Sequence, residues 1–285
     1  MSRPWPRREP VGGGRRDRVT GRPRLASVLG AAVLILMSMA AAASVDAGTH
    51  DAWDSLLREH VRDGRVDYKA LAAKRSELRS YLATLEGTTP SRLESRSRDE
   101  RLAFWINAYN AYTIRLVLDH YPIDGIWSIT PLWKRPLGGP FAIDFIPLGH
   151  LAPGVGGAEI SLGEVEHEIL RKRFDEPRIH FAIVCASKGC PILQDRAYTG
   201  AEIDGQLDRA STDFLGDPAR NRYEPDRNRL AVSPIFKWFS KDFQPGGGPA
   251  GFMGRYGPEA ARRALRDSET SPSVTYTSYD WTLNE

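Results

Sequence analysis

The segment 97–121 constrains the fold most, because it predicts one long helix that is apolar on nearly every side. It reads SRDERLAFWINAYNAYTIRLVLDHY and ends before Pro122. A helix without a polar face has to be enclosed by other elements. Asn107 and Asn110 interrupt the apolar surface and, at a spacing of three residues, share one face. A buried amide without partners costs about 1–3 kcal/mol, so we expect these two either to tie the glycine- and proline-rich loop that follows to the core or to line a polar pocket.

The remaining patterns predict a single mixed α/β domain of the α+β class, with several helices around a small sheet. Short extended patterns occur at 179–184, 230–233 and 274–281, and helical patterns lie between them. Residues 123–160 are rich in glycine and proline and predict a long irregular loop region. No linker divides the range 48–285, so we assign it to one domain.

The first 47 residues predict a secretory signal peptide. They hold eight arginines and three acidic residues, and an uncharged apolar run covers 25–43. Small residues at 41–43 and 45–47 are suitable cleavage sites. The apolar run of 19 residues is just long enough to span a bilayer, so the alternative is an uncleaved membrane anchor. Either way, the domain is expected in the periplasm or outside the cell.

Charge and motif content exclude several classes of partner. The chain carries +3 and its first 47 residues carry +5, which leaves the mature domain near −2. A nearly neutral domain offers no electrostatic basis for binding nucleic acid. The sequence contains no phosphate-binding glycine loop, serine nucleophile elbow or metal-spaced histidines. It therefore predicts no cofactor and no metal, and it predicts membrane contact only through the N-terminal segment. The ligand or substrate stays unidentified.

The only two cysteines lie close together in RIHFAIVCASKGCP, at 178–191. This segment predicts a buried strand at 179–184 that runs into a tight polar loop. In an exported protein, a disulfide between Cys185 and Cys190 is favoured. Its short ring would contribute about 2 kcal/mol, so it would shape the loop more than hold the fold. The alternatives are a catalytic Cys185 thiol and a pair of inert thiols.

A catalytic thiol needs a base, and strand alternation would place His180 on the face opposite Cys185. His167 is therefore the preferred base, flanked by Glu166, which would orient it or raise its pKa. The alternative is that His167 is a satisfied core residue. Asn107 or Asn110 would orient the base or donate to an oxyanion, with help from the backbone N–H of Gly189. The remaining predicted contacts would be on the substrate side: Arg171, Ser187, Lys188 and Cys190.

Five stretches together resemble the domain of unknown function 547 family in order and spacing over residues 50–285. They are FWINAYNAYTI (104–114), SLGEVEHEILR (161–171), RIHFAIVCASKGCP (178–191), SPIFKWFSKDF (233–243) and YDWTLN (279–284). The resemblance implies one α/β domain that is often exported in bacteria, and it implies no settled activity. Its motifs coincide with residues reached above: Asn107, Asn110, Glu166, His167, Arg171, Cys185 and Cys190.

Two functions of different classes follow as predictions. The first is a thiol-dependent hydrolase or acyl transferase acting on an amide or thioester, with Cys185 as nucleophile and His167 as base. The second is a non-catalytic envelope binding domain, in which a Cys185–Cys190 disulfide shapes a recognition loop. The number of free thiols in the unreduced protein distinguishes the two.

Overall fold

The computed structural model describes residues 48–268 and 270–285, so the predicted signal peptide lies outside the described residues. Helices make up most of the described chain. They are α1 (Asp51–His60), α2 (Tyr68–Ala73), α3 (Arg75–Glu86), α4 (Pro90–Glu94), α5 (Arg98–His120), α6 (162–174), α7 (Ile203–Gly216), α8 (Ile235–Trp238), α9 (Ser240–Phe243), α10 (Gly248–Tyr256) and α11 (Glu259–Asp267). Among these residues, no helix has both the length and the apolar character that crossing a bilayer requires.

Within the described residues, two small sheets accompany the helices. A hairpin pairs β1 (Val61–Arg62) with β2 (Arg65–Val66) in antiparallel register. The second sheet has the order β3 (Arg222–Glu224), β4 (Arg229–Val232) and β5 (Ser273–Tyr276), in which β4 runs antiparallel to β3 and parallel to β5. This architecture confirms the predicted α+β class with several helices around a small sheet.

Helix α5 is the central element, as its apolar sequence predicts. Every residue at 102–114 is buried, and the helix packs against α3, α6 and α7. Its start is fixed by a capping box, in which the Ser97 hydroxyl accepts the backbone N–H of Glu100 and the Glu100 carboxylate accepts that of Ser97. A second apolar cluster forms around Phe181, Phe236 and Phe243, between α7, the three-stranded sheet and α10.

The glycine- and proline-rich region 123–160 is irregular, as predicted. It contains four 3-10 turns: Ile126–Ile129, Leu132–Leu137, Gly139–Ala142 and Gly149–Leu151. Ile146 and Ile160 exchange two backbone hydrogen bonds of 3.0 and 2.9 Å, which close a loop within it. The turn Leu132–Leu137 carries exposed apolar side chains, including Trp133, which is 68% exposed.

The predicted strand at 179–184 is wrong. Residues Pro177–Phe181 form a 3-10 turn, and the chain then continues without regular structure. The backbone groups of Ala182 and Val184 bond to the side chain of Asn110, so the segment does not need a neighbouring strand. Ala186 then adopts a left-handed conformation with a φ of 59°, which turns the chain into the cysteine loop. The terminal strand is also shorter than predicted, because β5 ends at Tyr276.

Candidate functional site

A cleft of about 380 Å³ brings together α6, the segment 180–191 and the C-terminal segment. Aromatic side chains form most of its wall: Tyr109, Trp127, Phe141, Trp238, Phe239, Tyr279 and Trp281. Its carboxyl and imidazole side chains are those of Glu166, His167 and His180, and both cysteines border it. A concave, mostly apolar surface with a few convergent polar groups is the usual form of a ligand or active site.

A larger hollow of about 550 Å³ lies between α3 and α5, but it carries less chemistry. Asp119 there pairs with Arg75 and Arg115, at N–O distances of 3.4 Å for both, and all three side chains are at least 35% exposed. Solvated ion pairs of this kind are ordinary surface features. The smaller cleft is therefore the candidate site.

His180 is the more deeply buried of the two histidines that line the cleft. It is 3% exposed, its Nε2 lies 2.8 Å from Asp242 Oδ2, and its ring stacks on Phe239 with a centroid distance of 3.9 Å. Arg171 holds the same carboxylate through Nε and Nη2, at 2.6 and 2.9 Å. Hydrogen bonds from His180 and Arg171 hold the pKa of Asp242 well below its ordinary value. Burial lowers the pKa of His180, so this imidazole is neutral and donates from Nε2, which leaves Nδ1 as an acceptor.

Glu166 faces this acceptor. Its Oε1 lies 3.7 Å from His180 Nδ1, and its side chain is 13% exposed. Burial raises the pKa of Glu166 to about 7, against the opposing influence of Arg171. Helix α6 has a π-helical stretch here, Val165–Leu170, and such stretches are frequent at functional sites. A carboxyl group that titrates near neutral pH in a cleft is suited to give and accept protons.

His167, the base preferred from the sequence, lies next to Glu166 but on the exposed side of α6. Its Nδ1 is 3.0 Å from Arg171 Nη1, and partial burial together with Arg171 lowers its pKa. It borders the cleft, whereas His180 is enclosed by Phe239 and paired with Asp242. Of the two histidines, His180 therefore has the arrangement of an oriented base.

The two asparagines of α5 are buried and bind backbone groups. Asn107 donates to the carbonyl of Tyr198 at 2.7 Å and accepts from its N–H at 2.9 Å. Asn110 donates to the carbonyl of Ala182 at 3.0 Å and accepts from the N–H of Val184 at 2.9 Å. Neither side chain lines the cleft, so the expectation that they form one of its walls is corrected. Both amides tie backbone to the core, but at Tyr198 and at Ala182 and Val184 and not in the glycine- and proline-rich region 123–160.

Cys185 and Cys190 form a disulfide, as the sequence favours, and neither thiol is free. Cys185 is half-buried in the cleft wall, whereas Cys190 is 3% exposed. Ser187 Oγ lies 3.0 Å from the sulfur of Cys185, and Lys188 is exposed and does not line the cleft. The Gly189 N–H is already bonded to the carbonyl of Asp280 at 2.8 Å. Gly189 therefore lacks the free donor that an oxyanion site would need.

The C-terminal segment holds the cysteine loop independently of the disulfide. The N–H of Lys188 bonds to the carbonyl of Thr282 at 2.9 Å, and that of Asn284 to the carbonyl of Ala186 at 3.2 Å. Arg220 Nη2 donates to the Lys188 carbonyl at 2.6 Å. Together with the Gly189 bond, these contacts fix the loop from several directions.

We therefore expect a double variant, Cys185→Ser with Cys190→Ser, to fold and to lose at most about 2 kcal/mol of unfolding free energy, which is the chain-entropy value for so short a ring. Urea unfolding of the oxidised wild type and the double variant measures this difference. A much larger loss would mean that the loop depends on the bridge.

These features define an α+β domain with an aromatic cleft that is bordered by a disulfide and contains a buried carboxyl group with a raised pKa. Residues 93–215 match the family model of a protein of unknown function, DUF547. This match supports the family resemblance over that range, which contains the motifs at 104–114, 161–171 and 178–191. No curated protein and no solved structure matches the chain. The matched range contributes Glu166, His180 and both cysteines, whereas Asp242 and Tyr279 lie beyond its end.

Three residues of the site are not predicted from the sequence. His180 is set aside because a strand would separate it from Cys185. Asp242 lies within the aromatic stretch 236–243, whose composition is typical of a core, and Tyr279 falls in a predicted strand. Asp242 and Tyr279 do lie within two of the five family motifs, which is the signal that points to them. Within residues 48–268 and 270–285, no group of three or more His, Cys, Asp or Glu side chains is arranged to hold a metal ion.

Proposed function

We propose that the reduced form of this domain is a thiol-dependent hydrolase or acyl transferase that acts on an amide or thioester in the cleft. The observation that carries the proposal is that Glu166, His180 and Cys185 line one cleft and that the Glu166 carboxyl titrates near neutral pH. Cys185 is the nucleophile. His180, oriented by Asp242, replaces His167 as the base, because only His180 combines enclosure with a fixed tautomer.

The reaction proceeds in two stages. The Cys185 thiol gives its proton to the Glu166–His180 pair, its sulfur bonds to the substrate carbonyl carbon, and the leaving thiol or amine takes a proton and departs. Water or an acceptor then attacks the acyl group, passes a proton to Glu166 and frees Cys185. The Tyr279 hydroxyl, 3.3 Å from the Cys185 sulfur, stays protonated because burial raises its pKa, so it supplies a donor to the oxyanion.

The other predicted site residues have supporting roles in this proposal. Asn110 positions the segment that carries His180 and Cys185, and Arg171 neutralises Asp242. Ser187 contacts the sulfur of Cys185, at 3.0 Å. Asn107 holds the backbone at Tyr198, which lies outside the cleft.

Alkylation of the reduced protein tests the activated thiol. Reduced wild type is treated with iodoacetamide at pH 7, and the rate at Cys185 is followed by peptide mass spectrometry. We expect His180→Gln to slow this rate about tenfold, because the neutral imidazole is no longer present to accept the thiol proton as the sulfur attacks. His167→Ala is the matched control and should leave the rate within about twofold of wild type. Equal rates in wild type and His180→Gln would remove His180 as the activating base.

The closed disulfide specifically favours a second candidate, a non-catalytic envelope binding domain. With both sulfurs paired, the aromatic side chains and the 185–190 loop present a preformed recognition surface. Thiol counting on protein isolated without reductant gives zero free thiols for this candidate. Turnover of thioester or amide substrates after reduction decides between the two, since a pure binding domain gives none.

A further inference from the structure

We propose that the Cys185–Cys190 bridge is an exchangeable disulfide, in which a thiol reductant attacks the sulfur of Cys185 and Cys190 leaves as a stabilised thiolate. This redox activity does not depend on the acyl-transfer proposal, since its product is a mixed disulfide and its readout is a sulfur adduct.

The two sulfurs differ in access. Cys185 is half-buried and borders the cleft, whereas Cys190 is 3% exposed and packs into the apolar core. An external thiol that enters the cleft therefore meets Cys185 first. Attack on one sulfur makes the other the leaving group, and exchange is faster when the leaving thiol has a low pKa.

The surroundings of Cys190 suit a thiolate leaving group. The backbone N–H of Cys185 lies 2.9 Å from the Cys190 sulfur, the Tyr279 hydroxyl 3.1 Å and the Ser187 hydroxyl 3.6 Å, with each group in position to donate. Hydrogen bonds to an ionised acceptor are roughly twice as strong as neutral ones. The Ser187 and Tyr279 hydroxyls also lie 3.0 and 3.3 Å from the Cys185 sulfur, so the donor that distinguishes Cys190 is the backbone N–H of Cys185. Burial raises the pKa of the Tyr279 hydroxyl, so that donor keeps its proton through the physiological range.

The loop also retains its shape when the bond opens. Backbone hydrogen bonds from Lys188 and Gly189, which lie between the two cysteines, to Thr282 and Asp280 remain in place. A disulfide whose loop is held by other contacts can open and close without local unfolding. This arrangement suits repeated exchange.

The electron balance is that of ordinary thiol–disulfide exchange. A reductant thiolate forms a bond to the Cys185 sulfur, the Cys185–Cys190 bond breaks, and its electron pair leaves on Cys190. A second reductant thiol then attacks the reductant sulfur of the mixed disulfide and releases Cys185. Two reductant thiols are thereby oxidised to one disulfide, and the two cysteines are reduced.

The site of attack is the first test. Folded, oxidised protein is incubated with reduced glutathione, quenched in acid, alkylated and digested for mass spectrometry. We expect glutathione on Cys185 and the alkyl group on Cys190. If attack is directed at Cys185, this product should be at least about tenfold more abundant than the product with glutathione on Cys190. Equal adducts on both cysteines would overturn the proposal. Reaction only after unfolding in guanidinium chloride would also overturn it, by making the bridge a structural staple.

The second test removes hydrogen-bond donors from the Cys190 sulfur. In a Cys185→Ser background, which isolates Cys190, the thiolate pKa is read from its ultraviolet absorbance. We expect Tyr279→Phe to raise this pKa by about one unit and, in the two-cysteine protein, to slow exchange about tenfold, because one donor to the charged sulfur is lost. Ser187→Ala acts in the same direction and supplies a second measurement if Tyr279→Phe folds poorly. Tyr276→Phe, on exposed strand β5, is the control. Unchanged pKa and rate in both donor variants would refute the proposal.

Discussion

Replacing Glu166 by glutamine is expected to lower kcat/KM of the reduced protein about 100-fold on an activated thioester such as phenyl thioacetate. Glutamine keeps the size of the side chain but neither gives nor accepts the proton, and general acid–base catalysis contributes about 10²–10⁴-fold. In wild type, release of the acyl group needs ionised Glu166, so the rate should rise as pH passes through about 7, the pKa that burial gives this carboxyl. The variant should lack this inflection.

The same substitution is expected to stabilise the fold at neutral pH. The pKa of Glu166 is raised from 4.5 to about 7 on folding, so between these values the folded protein binds more protons than the unfolded chain. The free energy of unfolding therefore falls as pH rises through this window, and the buried charge costs about 3 kcal/mol above it. Glu166→Gln should thus be more stable than wild type at pH 8 by an amount of that order and nearly equal at pH 4, measured by urea unfolding.

Glu168→Gln is the matched control, because Glu168 lies on the same helix but is exposed and pairs with Lys172 at 2.5 Å. It should change neither kcat/KM nor the pH dependence of stability by much. An inflection near pH 7 that persists in Glu166→Gln would show that another group titrates there. Lower stability of Glu166→Gln at pH 8 would show that its carboxylate is favourably bound in the folded state.

The elements that could be predicted from the sequence are those whose signals are local. The start of α5 is encoded within four residues by Ser97 and Glu100, and its central position follows from an uninterrupted apolar surface. Strand β4 and the irregular region 123–160 can likewise be recognised from the types of residue within them. These features need no information from distant parts of the chain.

The candidate site is different, because its geometry depends on contacts between distant residues. Asp242 pairs with His180 across 62 positions, and Asn110 binds Val184 across 74. The apolar alternation at 179–184 is typical of a strand, yet the side chain of Asn110 takes the bonds that a neighbouring strand would make. A strand would have separated His180 from Cys185. The 3-10 turn instead brings both to one cleft, an arrangement that the strand alternation of the sequence does not predict.

Replacing Asn110 by alanine is expected to cost about 3 kcal/mol of unfolding free energy and also to impair the cleft. The change leaves the carbonyl of Ala182 and the N–H of Val184 buried without their partner, and each unsatisfied group costs about 1–3 kcal/mol. Because these two groups lie between His180 and Cys185, we also expect alkylation of reduced Cys185 to slow about tenfold as the oriented base is lost.

Asn107→Ala separates the two effects, since it removes the same kind of contact elsewhere. Its amide binds both backbone groups of Tyr198, which lies outside the cleft, so we expect a similar loss of about 3 kcal/mol with an unchanged alkylation rate at Cys185. Urea unfolding and alkylation of folded protein at low temperature measure the two quantities separately. If both variants slow alkylation equally, general loosening of the fold explains the effect. If only Asn110→Ala does so, the amide of residue 110 positions the site, because the position of His180 relative to Cys185 then depends on that one side chain.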